Sequence, residues 1–551
     1  MMAAPTRPGQ ASPPTRDGAR SPDTGLQVTL EANFSEVQLA NALAKLPAPV
    51  DEITSNSREA KRGVAFLAYP GATRDGRAFI GDAVTRGASA VLFEASAFTW
   101  NADWQVPHLA VPDLKVHASQ IAGHIYGHPA EALWMIGVTG TNGKTSVSQW
   151  IAKAMELAGR KSAVIGTIGN GLMGSGSGNG NGNRQLQPSD NTTPDAVALQ
   201  RMLRDYLRAG ATACAMEVSS HGLDQGRVAD IKYDVAVFTN LTRDHLDYHG
   251  TMEAYGEAKA RLFDLRGVKH AVINVDDAFG VTLAERLASR PGVELIRYSM
   301  RQNGTFANLA AKNVAVSPSG LSFDVAGKFG VAHVESDILG AFNVGNLLAV
   351  IGALIAGGMP LAQAAAIAGR LPPVPGRMQT VRVGGKAGDK PLVVVDYAHT
   401  PDALEKALST VAAIVPENGR LISVFGCGGD RDRGKRPQMG AISARYADVT
   451  IITSDNPRTE DPQRIIADIE AGIDVGIKSG SAAKKGAAHY RAIADRQQAI
   501  YEALNEAQPG DIVVIAGKGH EDYQIVGETK LHFSDIEVAQ EALSAWRGSR
   551  S

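Results

Sequence analysis

The sequence predicts an α/β protein of three domains: a central P-loop-type parallel-sheet domain, flanked by a small N-terminal α/β domain and a C-terminal Rossmann-like α/β domain. The chain of 551 residues is too long for a single hydrophobic core. Short apolar runs alternate with segments of helical periodicity along most of it. A proline cluster at 372–375 interrupts this alternation, so we place the domains at 26–128, 129–373 and 374–551.

The composition is that of an ordinary globular protein. Hydrophobic residues make up 44% and charged residues 20% of the chain, and the formal net charge is −2. We therefore expect no global field that attracts nucleic acid or anionic lipid, and no apolar run is long enough to cross a bilayer. The two cysteines, Cys214 and Cys427, are too few for a disulfide scaffold and fit a reducing cytoplasm.

The N-terminal region divides into a tail and a small α/β unit. Residues 1–25 are rich in Pro, Arg, Ser, Gly and Asp and lack the apolar segment of a secretory signal, so we predict a disordered tail. The following unit has predicted strands at 64–68 and 90–93 with a helix at 77–86 between them. Its polar loop at 71–77 is compatible with a binding function or with a plain surface turn.

A glycine-rich segment at 137–145, Gly-Val-Thr-Gly-Thr-Asn-Gly-Lys-Thr, opens the central domain. It follows an apolar run and precedes a helical pattern that ends near Gly159. Glycine N–H groups, a helix N-terminus, Lys144 and the Thr145 hydroxyl together suit the phosphates and Mg²⁺ of a nucleotide. One extra residue precedes the Gly-Lys pair relative to the common pattern, and a glycine-rich turn with an exposed lysine is the alternative. We predict ATP binding through Gly140, Thr141, Asn142, Gly143, Lys144, Thr145 and Ser146.

Two further strands of the central domain are predicted to end in polar side chains. The run 211–216 leads to Glu217, and the run 235–238 leads to Asp244 and His245. The carboxyl ends of parallel strands share one edge of a sheet, where ligands bind. A carboxylate and a histidine beside a nucleotide loop suggest a Mg²⁺ site that bridges ATP phosphates, although each residue alone fits a helix cap or a satisfied histidine.

Two asparagines, Asn343 and Asn346, stand at the start of a later apolar helix. Three residues apart, they are able to face the same way, and an amide both donates and accepts hydrogen bonds, which suits an adenine edge. Helix capping is the competing interpretation and has equal support from the sequence.

The C-terminal domain has four predicted strands, and each of them leads into a polar loop. The strands are 392–395, 421–425, 449–452 and 512–516, and the loops begin at Asp396, Gly426, Ser454 and Gly517. Loops of mixed charge at consecutive strand ends are typical of a surface that binds a zwitterion such as an amino acid. A solvated loop face is the alternative.

Five motifs, in this order, resemble those of the Mur ligase family. They are Gly-Thr-Asn-Gly-Lys-Thr at 140–145, Glu-Val-Ser-Ser-His-Gly-Leu at 217–223, Asp-His-Leu-Asp-Tyr-His-Gly at 244–250, Asp-Tyr-Ala-His-Thr-Pro at 396–401 and Asp-Asn-Pro-Arg at 455–458. The resemblance extends from about Ser55 to near the C-terminus, and the Gly/Asn/Ser-rich stretch at 173–183 resembles an insertion. It implies a monomeric cytoplasmic ligase that adds the third amino acid of the peptidoglycan stem peptide to UDP-MurNAc-L-Ala-D-Glu.

The chemistry that the resemblance implies is ATP-driven amide formation. A substrate carboxylate attacks the γ-phosphate, and the amine of the incoming amino acid then attacks the acyl phosphate. Lys144 and Mg²⁺ have to neutralise the charge of the two anions that meet. The resemblance implies two Mg²⁺ sites, with Thr145 at the first and Glu217 and His245 at the second. It also implies that Lys259, which the sequence alone would place as an exposed helix residue, carries a carbamate from CO₂ and binds Mg²⁺ as an anion.

The other contacts that the resemblance implies fall into three groups. On the ATP side are Asn343, Asn346, Arg377 and Asp396. On the UDP-MurNAc-dipeptide side are Ser55, Ser57, the 71–77 loop, Thr192, Thr193, Ser219, Gln225 and Arg227. Around the incoming amino acid are Arg431, Asp455, Asn456, Pro457, Arg458, Gly517 and Glu521.

The Asp-Asn-Pro-Arg motif implies that the incoming amino acid is meso-diaminopimelate. This substrate differs from lysine by a distal carboxylate, which a guanidinium such as that of Arg458 pairs bidentately. Lysine would leave the guanidinium unpaired at a cost of about 2 kcal/mol or more. A lysine-adding relative remains the alternative, as does a folylpolyglutamate-synthetase-like ligase, which the segment Asn-Thr-Thr-Pro at 191–194 disfavours. A P-loop protein that hydrolyses nucleotide without ligation is the alternative from another class.

Overall fold

The structure is a computed structural model that describes residues 27–47, 49–71, 74–174, 186–189, 191–301, 306–384, 388–473 and 489–547. The chain forms two compact units, 1–126 and 127–551. The predicted tail at 1–25 and most of the Gly/Asn/Ser-rich stretch lie outside the described residues. The domain limits given above stay predictions.

The first unit contains a five-stranded parallel sheet with the strand order β1-β5-β4-β3-β2. Its elements are β1 (Gln27–Thr29), α1 (Glu36–Leu43), β2 (Glu52–Thr54), β3 (Val64–Ala68), α2 (Ile80–Thr85), β4 (Ala90–Glu94), β5 (His108–Val111) and α3 (Leu114–Tyr126), with 3₁₀ turns at Ser57–Glu59 and Gly76–Phe79. The predicted strands at 64–68 and 90–93 are confirmed. The predicted helix at 77–86 begins later, at Ile80, and follows a 3₁₀ turn in which the Asp75 carboxylate accepts from the Arg77 N–H at 3.0 Å.

The second unit begins with a ten-stranded mixed sheet with the order β15-β14-β13-β12-β11-β10-β6-β9-β7-β8. Its strands are β6 (Trp134–Thr139), β7 (Ser162–Ile165), β8 (Gly171–Leu172), β9 (Ala213–Glu217), β10 (Val235–Phe238), β11 (His270–Asn274), β12 (Glu294–Ser299), β13 (Leu309–Ser317), β14 (Gly320–Gly327) and β15 (Gly330–Ser336). Its helices are α4 (Lys144–Leu157), α5 (Ala196–Arg208), α6 (Ser220–Asp224), α7 (Leu246–His249), α8 (Met252–Asp264), α9 (Ala278–Ala288), α10 (Phe342–Ala356) and α11 (Leu361–Gly369), with a 3₁₀ turn at Pro129–Glu131. Seven neighbouring strands of this sheet are parallel, in the order β13-β12-β11-β10-β6-β9-β7. At the two edges β8, β14 and β15 are antiparallel additions.

The same unit contains a six-stranded sheet with the order β16-β17-β21-β18-β19-β20 and a separate hairpin, β22–β23. Its strands are β16 (Gln379–Val381), β17 (Leu392–Asp396), β18 (Leu421–Phe425), β19 (Val449–Ile452), β20 (His489–Ala492), β21 (Ile512–Ala516), β22 (Tyr523–Val526) and β23 (Thr529–His532). Its helices are α12 (Pro401–Ala412), α13 (Lys435–Tyr446), α14 (Pro462–Glu470), α15 (Arg496–Glu506) and α16 (Asp535–Ala545). All the strands of the sheet are parallel except β16, and the four predicted strands are confirmed.

The central strands bring their carboxyl ends together at one edge of the large sheet. β6 lies between β9 and β10, with Val138 opposite Glu217 and Thr139 opposite Phe238. The apolar helices α4 and α10 pack against this part of the sheet and bury its core. Residues that follow these three strands are therefore neighbours. In the described part of the chain no helix has the length and apolar character that a membrane crossing requires.

A buried ion pair joins α15 and α16 to the strand ends of the smaller sheet. Arg496 donates to both carboxylate oxygens of Asp535 at 2.7 and 2.8 Å, and both side chains have no exposed surface. The same guanidinium donates to the carbonyls of Ser454 and Ala516. The pair therefore fixes the starts of two loops that were predicted to bind substrate.

The variant Asp535→Asn should lose about 3–5 kcal/mol of unfolding free energy, because it leaves a buried guanidinium without a counter-charge. Urea unfolding followed by circular dichroism measures this loss. The matched control is Glu541→Gln on the same helix, where an exposed carboxylate accepts a bond from Tyr501. A loss for Asp535→Asn no larger than that of the control would contradict the expectation.

Candidate functional site

The loop between β6 and α4 is shaped by two glycines in the left-handed region. Gly140 has φ +143° and Gly143, which precedes the first residue of α4, has φ +86°. A Cβ atom on Gly140 would lie 1.9 Å from Thr239 Oγ1, and one on Gly143 would lie 2.5 Å from Asn346 Oδ1. Only glycine fits either position, so the loop passes closely between the end of β10 and the start of α10.

Lys144 lies folded over this loop. Its Nζ donates to the carbonyls of Gly140 and Thr141, each at 2.9 Å. Burial lowers the pKa of Lys144, while the negative charges of Glu217 and Asp244 act in the opposite direction. The ammonium is thus placed where a strand–loop–helix unit presents a cation to the outer phosphates of a nucleotide.

Glu217 ends β9 as a buried carboxylate, and its side chain is held by neutral donors. It is 1% exposed and accepts hydrogen bonds from Thr145 Oγ1 at 2.9 Å, from the Thr167 N–H at 2.7 Å and from Thr167 Oγ1 at 3.2 Å. Carboxylate and hydroxyl oxygens this close together are the hard donors that Mg²⁺ prefers. The pair of Glu217 and Thr145 therefore fits a magnesium site, and Thr167 is a neighbour that the sequence reasoning did not single out.

His245 lies on the loop after β10, in a group of aromatic rings. Its backbone is left-handed, with φ +50°, and its Nε2 is 3.6 Å from the Asp244 carboxylate. Its ring centroid is 4.8 Å from that of His221 and 6.0 Å from that of Tyr255. Among the described residues no hydrogen bond or ion pair joins His245 to Glu217, so its place as a metal ligand stays a prediction.

Lys259 is buried, and the expectation from sequence alone that it is an exposed helix residue is wrong. Its side chain is 1% exposed, because α8 packs this face against the phosphate loop. Its Nζ donates to the Gly140 carbonyl at 2.9 Å and lies 4.2 Å from the centroid of the Tyr255 ring. Burial lowers the pKa of Lys259 well below its usual value, and repulsion from Lys144 adds to the shift.

Asn343 and Asn346 face the same way, as their spacing predicted. Asn346 Nδ2 donates to Asn343 Oδ1 at 2.8 Å, and Asn343 Nδ2 donates to the Leu339 carbonyl at 2.7 Å. The N-cap of α10 is Ala341, so helix capping by either asparagine is excluded. Since Asn346 also lies against Gly143, the pair adjoins the phosphate loop.

The residues predicted to hold the dipeptide form a connected network beside Glu217. Thr193 Oγ1 donates to the Glu217 carbonyl at 2.9 Å and accepts from the Ser219 N–H at 3.0 Å. Arg227 donates to the Thr193 carbonyl at 2.6 Å and to Gln225 Oε1 at 2.7 Å. Thr192 joins the network through the Thr167 hydroxyl at 3.1 Å.

The residues predicted to hold the UDP moiety lie in the first unit. Ser57 begins a 3₁₀ turn after β2, and its hydroxyl, together with the Arg86 guanidinium, lowers the pKa of the Asp82 carboxyl. In the 71–77 loop, Arg77 pairs with Asp75 at 2.7 Å. Ala72 and Thr73 of this loop lie outside the described residues, and Ser55 lies just before the turn.

Arg377 precedes β16, and Asp396 ends the neighbouring antiparallel strand β17, so the two residues lie near each other. The Arg377 guanidinium lies 5.1 Å from the Tyr397 ring centroid, and the Asp396 carboxylate accepts from the Met378 N–H at 2.7 Å. Burial raises the pKa of Asp396, and the positive charge of Arg377 opposes that shift. Burial also lowers the pKa of His520, which packs against Tyr397, to about 4, with repulsion from Arg377 adding to the effect.

The predicted amino-acid pocket is assembled at the ends of β19 and β21. Asn456 Nδ2 donates to Glu521 Oε2 at 3.0 Å, and the buried Asp455 has an oxygen, Oδ1, that accepts no hydrogen bond from the described residues. Pro457 is buried beside them, and Gly517 places its α-carbon face near the Asp455 carboxylate. Lys518, which the sequence reasoning passed over although it stands next to Gly517, is buried within the same group.

Two arginines border this pocket. Arg458 has a left-handed backbone, with φ +51°, and its Nη1 donates to the Gly429 carbonyl at 2.7 Å. Within the described ranges no carboxylate pairs with its guanidinium. Arg431 is exposed on the neighbouring loop, and a Cβ added to Gly428 would lie 3.0 Å from Arg458 Nη1 and 3.7 Å from Arg431 Cγ.

The sequence matches three family profiles that together span most of the chain. They are the Mur ligase family catalytic domain at 49–126, the Mur ligase middle domain at 138–354, and the Mur ligase, glutamate ligase domain at 376–519. Each match falls within one of the three predicted domains.

Curated relatives and a solved structure agree with these profiles. The chain is 50% identical over 505 residues to a Chromobacterium violaceum protein named UDP-N-acetylmuramoyl-L-alanyl-D-glutamate--2,6-diaminopimelate ligase, with 92% of this chain and 96% of the relative covered. It is 48% identical over 501 residues to a protein of the same name from Janthinobacterium sp. (strain Marseille), with 90% and 95% covered. A solved structure with this ligase name matches at a TM-score of 0.65 and 39% identity, over 90% of this chain and 95% of that one. The chain therefore belongs to the Mur ligase family.

Proposed function

We propose that this protein is the ATP-dependent ligase that joins meso-diaminopimelate to UDP-MurNAc-L-Ala-D-Glu, in the synthesis of peptidoglycan precursors. The observation that carries the proposal is the group of Asp455, Glu521 and Arg458 at the ends of β19 and β21. Two carboxylates suit an ammonium, and a guanidinium without a carboxylate partner suits a carboxylate. Diaminopimelate carries both groups at its distal end. The same name in relatives of 48–50% identity supports this assignment.

The phosphate loop and its neighbours provide for the first chemical step. Backbone N–H groups of the loop and Lys144 bind the phosphates of ATP, and Asn343 and Asn346 contact the adenine ring. Thr145 would hold one Mg²⁺, Glu217 and His245 would hold a second, and the bound ions would offset negative charge on the phosphates. The dipeptide carboxylate, which lies near Glu217, then attacks the γ-phosphate, the bond to the β–γ bridging oxygen breaks, and the products are an acyl phosphate and ADP. The residues that hold the dipeptide are Thr192, Thr193, Ser219, Gln225 and Arg227.

The second step needs an amine beside that acyl phosphate. Asp455 and Glu521 hold the distal ammonium of diaminopimelate, and Arg458, Arg431 and the amide Nδ2 of Asn456, which only donates, hold the distal carboxylate. The proximal amine is thereby left free to attack the acyl carbon, and the amide forms as the nitrogen loses a proton and phosphate leaves. Arg377 and Asp396 lie on the nucleotide side of this reaction, and Ser55, Ser57 and the 71–77 loop bind the UDP end of the substrate.

Lys259 is proposed to carry a carbamate. Addition of CO₂ requires a neutral amine, and a buried Nζ with a carbonyl and an aromatic ring as its neighbours favours that form. The amine attacks the carbon of CO₂ and loses one proton, which leaves an anion able to bind Mg²⁺. After incubation with carbon-13 bicarbonate, we expect a carbamate resonance in the carbon-13 NMR spectrum of the wild-type protein. It should be missing in Lys259→Met, and its presence in that variant would refute the assignment.

The proposal is tested by phosphate release from ATP with UDP-MurNAc-L-Ala-D-Glu and Mg²⁺, with only the amino acid varied. Release with meso-diaminopimelate and little with lysine is the expected result. Preference for lysine would support the assignment as a ligase but refute the proposed role of Arg458. Equal phosphate release without any amino acid would indicate an uncoupled nucleotidase.

Two further proposals have tests of their own. Sedimentation of the purified protein tests the proposal that it acts as a monomer, and fractionation of cells tests its cytoplasmic location.

A further inference from the structure

Lys518 is a fully buried cation behind the proposed diaminopimelate pocket. Its side chain has no exposed surface. Its Nζ donates to Asn456 Oδ1 at 3.1 Å and to Glu521 Oε2 at 3.2 Å, and it lies 3.5 Å from Asp455 Oδ1. A buried ammonium is stable only with such partners, and these three are all residues proposed to contact the substrate.

Lys518 fixes the orientation of the groups around it. Asn456 Oδ1 accepts from Lys518 and from the Ile525 N–H at 2.9 Å, so the Asn456 amide has to turn its Nδ2 toward Glu521. Glu521 Oε2 therefore receives two donors, and the other oxygen, Oε1, is left for a ligand. The buried Asp455 Oδ1 accepts no hydrogen bond from the described residues, and its neighbour at 3.5 Å is the Lys518 ammonium.

Lys518 also sets the charge of the pocket. Asp455 and Glu521 contribute two negative charges, and Lys518 and Arg458 contribute two positive charges. Arg431 is exposed at the rim, where water and salt screen it, and Arg496 is paired with Asp535. The enclosed part of the pocket is therefore neutral, which matches an amino-acid end that carries one ammonium and one carboxylate.

We propose that Lys518 is a specificity-determining positioning residue, whose buried charge makes the pocket accept a zwitterionic distal end in preference to a purely cationic one. The inference rests on the proposed function. Without Lys518 the enclosed charge becomes −1. A substrate carboxylate is then repelled, whereas the single ammonium of lysine is favoured. Removal of Lys518 should therefore shift the substrate preference of the enzyme toward free lysine. A merely structural role of Lys518 would not produce such a shift.

The test compares kcat/KM for meso-diaminopimelate and for lysine in the full-length protein and in Lys518→Met. We expect the ratio of kcat/KM for meso-diaminopimelate to kcat/KM for lysine to fall by about tenfold or more. The reason is that the variant makes a desolvated site less favourable for the charge-assisted contact with the distal carboxylate. The KM for ATP should stay within about twofold, because these contacts belong to the amino-acid pocket. The matched control is Lys530→Met on the adjacent hairpin, where an exposed ammonium lies 3.7 Å from the centroid of the same Tyr523 ring that Lys518 approaches at 5.5 Å. Its ratio should equal that of the wild type.

A second variant separates the charge of Lys518 from the packing of its side chain. Lys518→Met/Glu521→Gln removes one charge of each sign, so the enclosed pocket is neutral again. We expect the ratio to move back toward the wild-type value. An unchanged ratio in Lys518→Met, or a double variant that favours lysine as strongly as the single one, would overturn the inference. If the wild-type protein does not use meso-diaminopimelate at all, the proposed function fails instead, so the two failures are distinguishable.

Discussion

Lys144→Met is expected to lower the rate of ATP-dependent ligation by about a thousandfold or more, because phosphoryl transfer depends mainly on charge stabilisation by such groups. The reaction brings a carboxylate against a triphosphate, and Lys144 is the cation of the phosphate loop. Its Nζ contacts two loop carbonyls in the described structure. The Gly140 carbonyl also accepts from Lys259 Nζ at 2.9 Å, so the fold should tolerate the loss. Phosphate release and tripeptide formation measure the rate, and thermal unfolding measures stability.

The control for Lys144→Met is Lys153→Met on the same helix. Lys153 is half-buried and pairs with Glu156 at 2.8 Å. Such a pair within a helix contributes only about 0.3–0.5 kcal/mol, so the control should keep its activity and its melting temperature. An active Lys144→Met protein would contradict ATP binding at this loop. An inactive but unfolded one would show instead that Lys144 is needed to stabilise the loop, contrary to the expectation that the fold tolerates its loss.

The strands of the parallel sheets could be predicted because they are buried on both faces. The strands β10 and β21 are continuous apolar runs, β18 and β19 are apolar apart from the buried Ser423 and Thr450, and the predicted limits of all four are those of the structure. Because parallel strands end at the same edge of a sheet, the polar residues that follow these strands mark the edge where ligands bind. The sequence could not predict β13–β15 in this way. Those strands alternate buried and exposed residues and lie at the edge of the sheet, so they contain no continuous apolar run.

The sequence predicts where most site residues lie in the fold, but it does not predict which side chains they contact. Glu217 was expected at a strand end, but its partner Thr167 comes from a different loop and has no motif of its own. Lys259 was expected to be exposed, because a lysine in a helix usually is, and only the packing of α8 on the phosphate loop shows otherwise. Lys518 stands between two predicted residues, yet its role depends on three partners that the sequence does not place around it.

Arg458→Ala is expected to lower kcat/KM for meso-diaminopimelate by about tenfold to a hundredfold, while the value for lysine stays the same or rises. The structure gives a specific reason for this asymmetry. The backbone of Arg458 is held by the β22–β23 hairpin, through its N–H to the Ile525 carbonyl at 3.1 Å and its carbonyl to the Gly527 N–H at 2.8 Å. The guanidinium contacts carbonyls and, in the described part of the chain, no carboxylate. A substrate carboxylate is therefore the partner that satisfies its charge.

Arg458→Lys and Arg433→Ala separate the possible causes of such a loss. Arg458→Lys keeps the positive charge and loses the planar fork, so its activity with meso-diaminopimelate should fall between those of wild type and alanine. Arg433→Ala removes an exposed arginine of the neighbouring loop that pairs with Glu460 at 3.1 Å. It should leave kcat/KM unchanged for both amino acids. If Arg458→Ala weakens lysine and meso-diaminopimelate equally, the residue supports the loop and does not read the distal carboxylate. A selective loss of activity with meso-diaminopimelate in Arg458→Ala that is smaller in Arg458→Lys means that both the charge and the geometry of the guanidinium distinguish the two substrates.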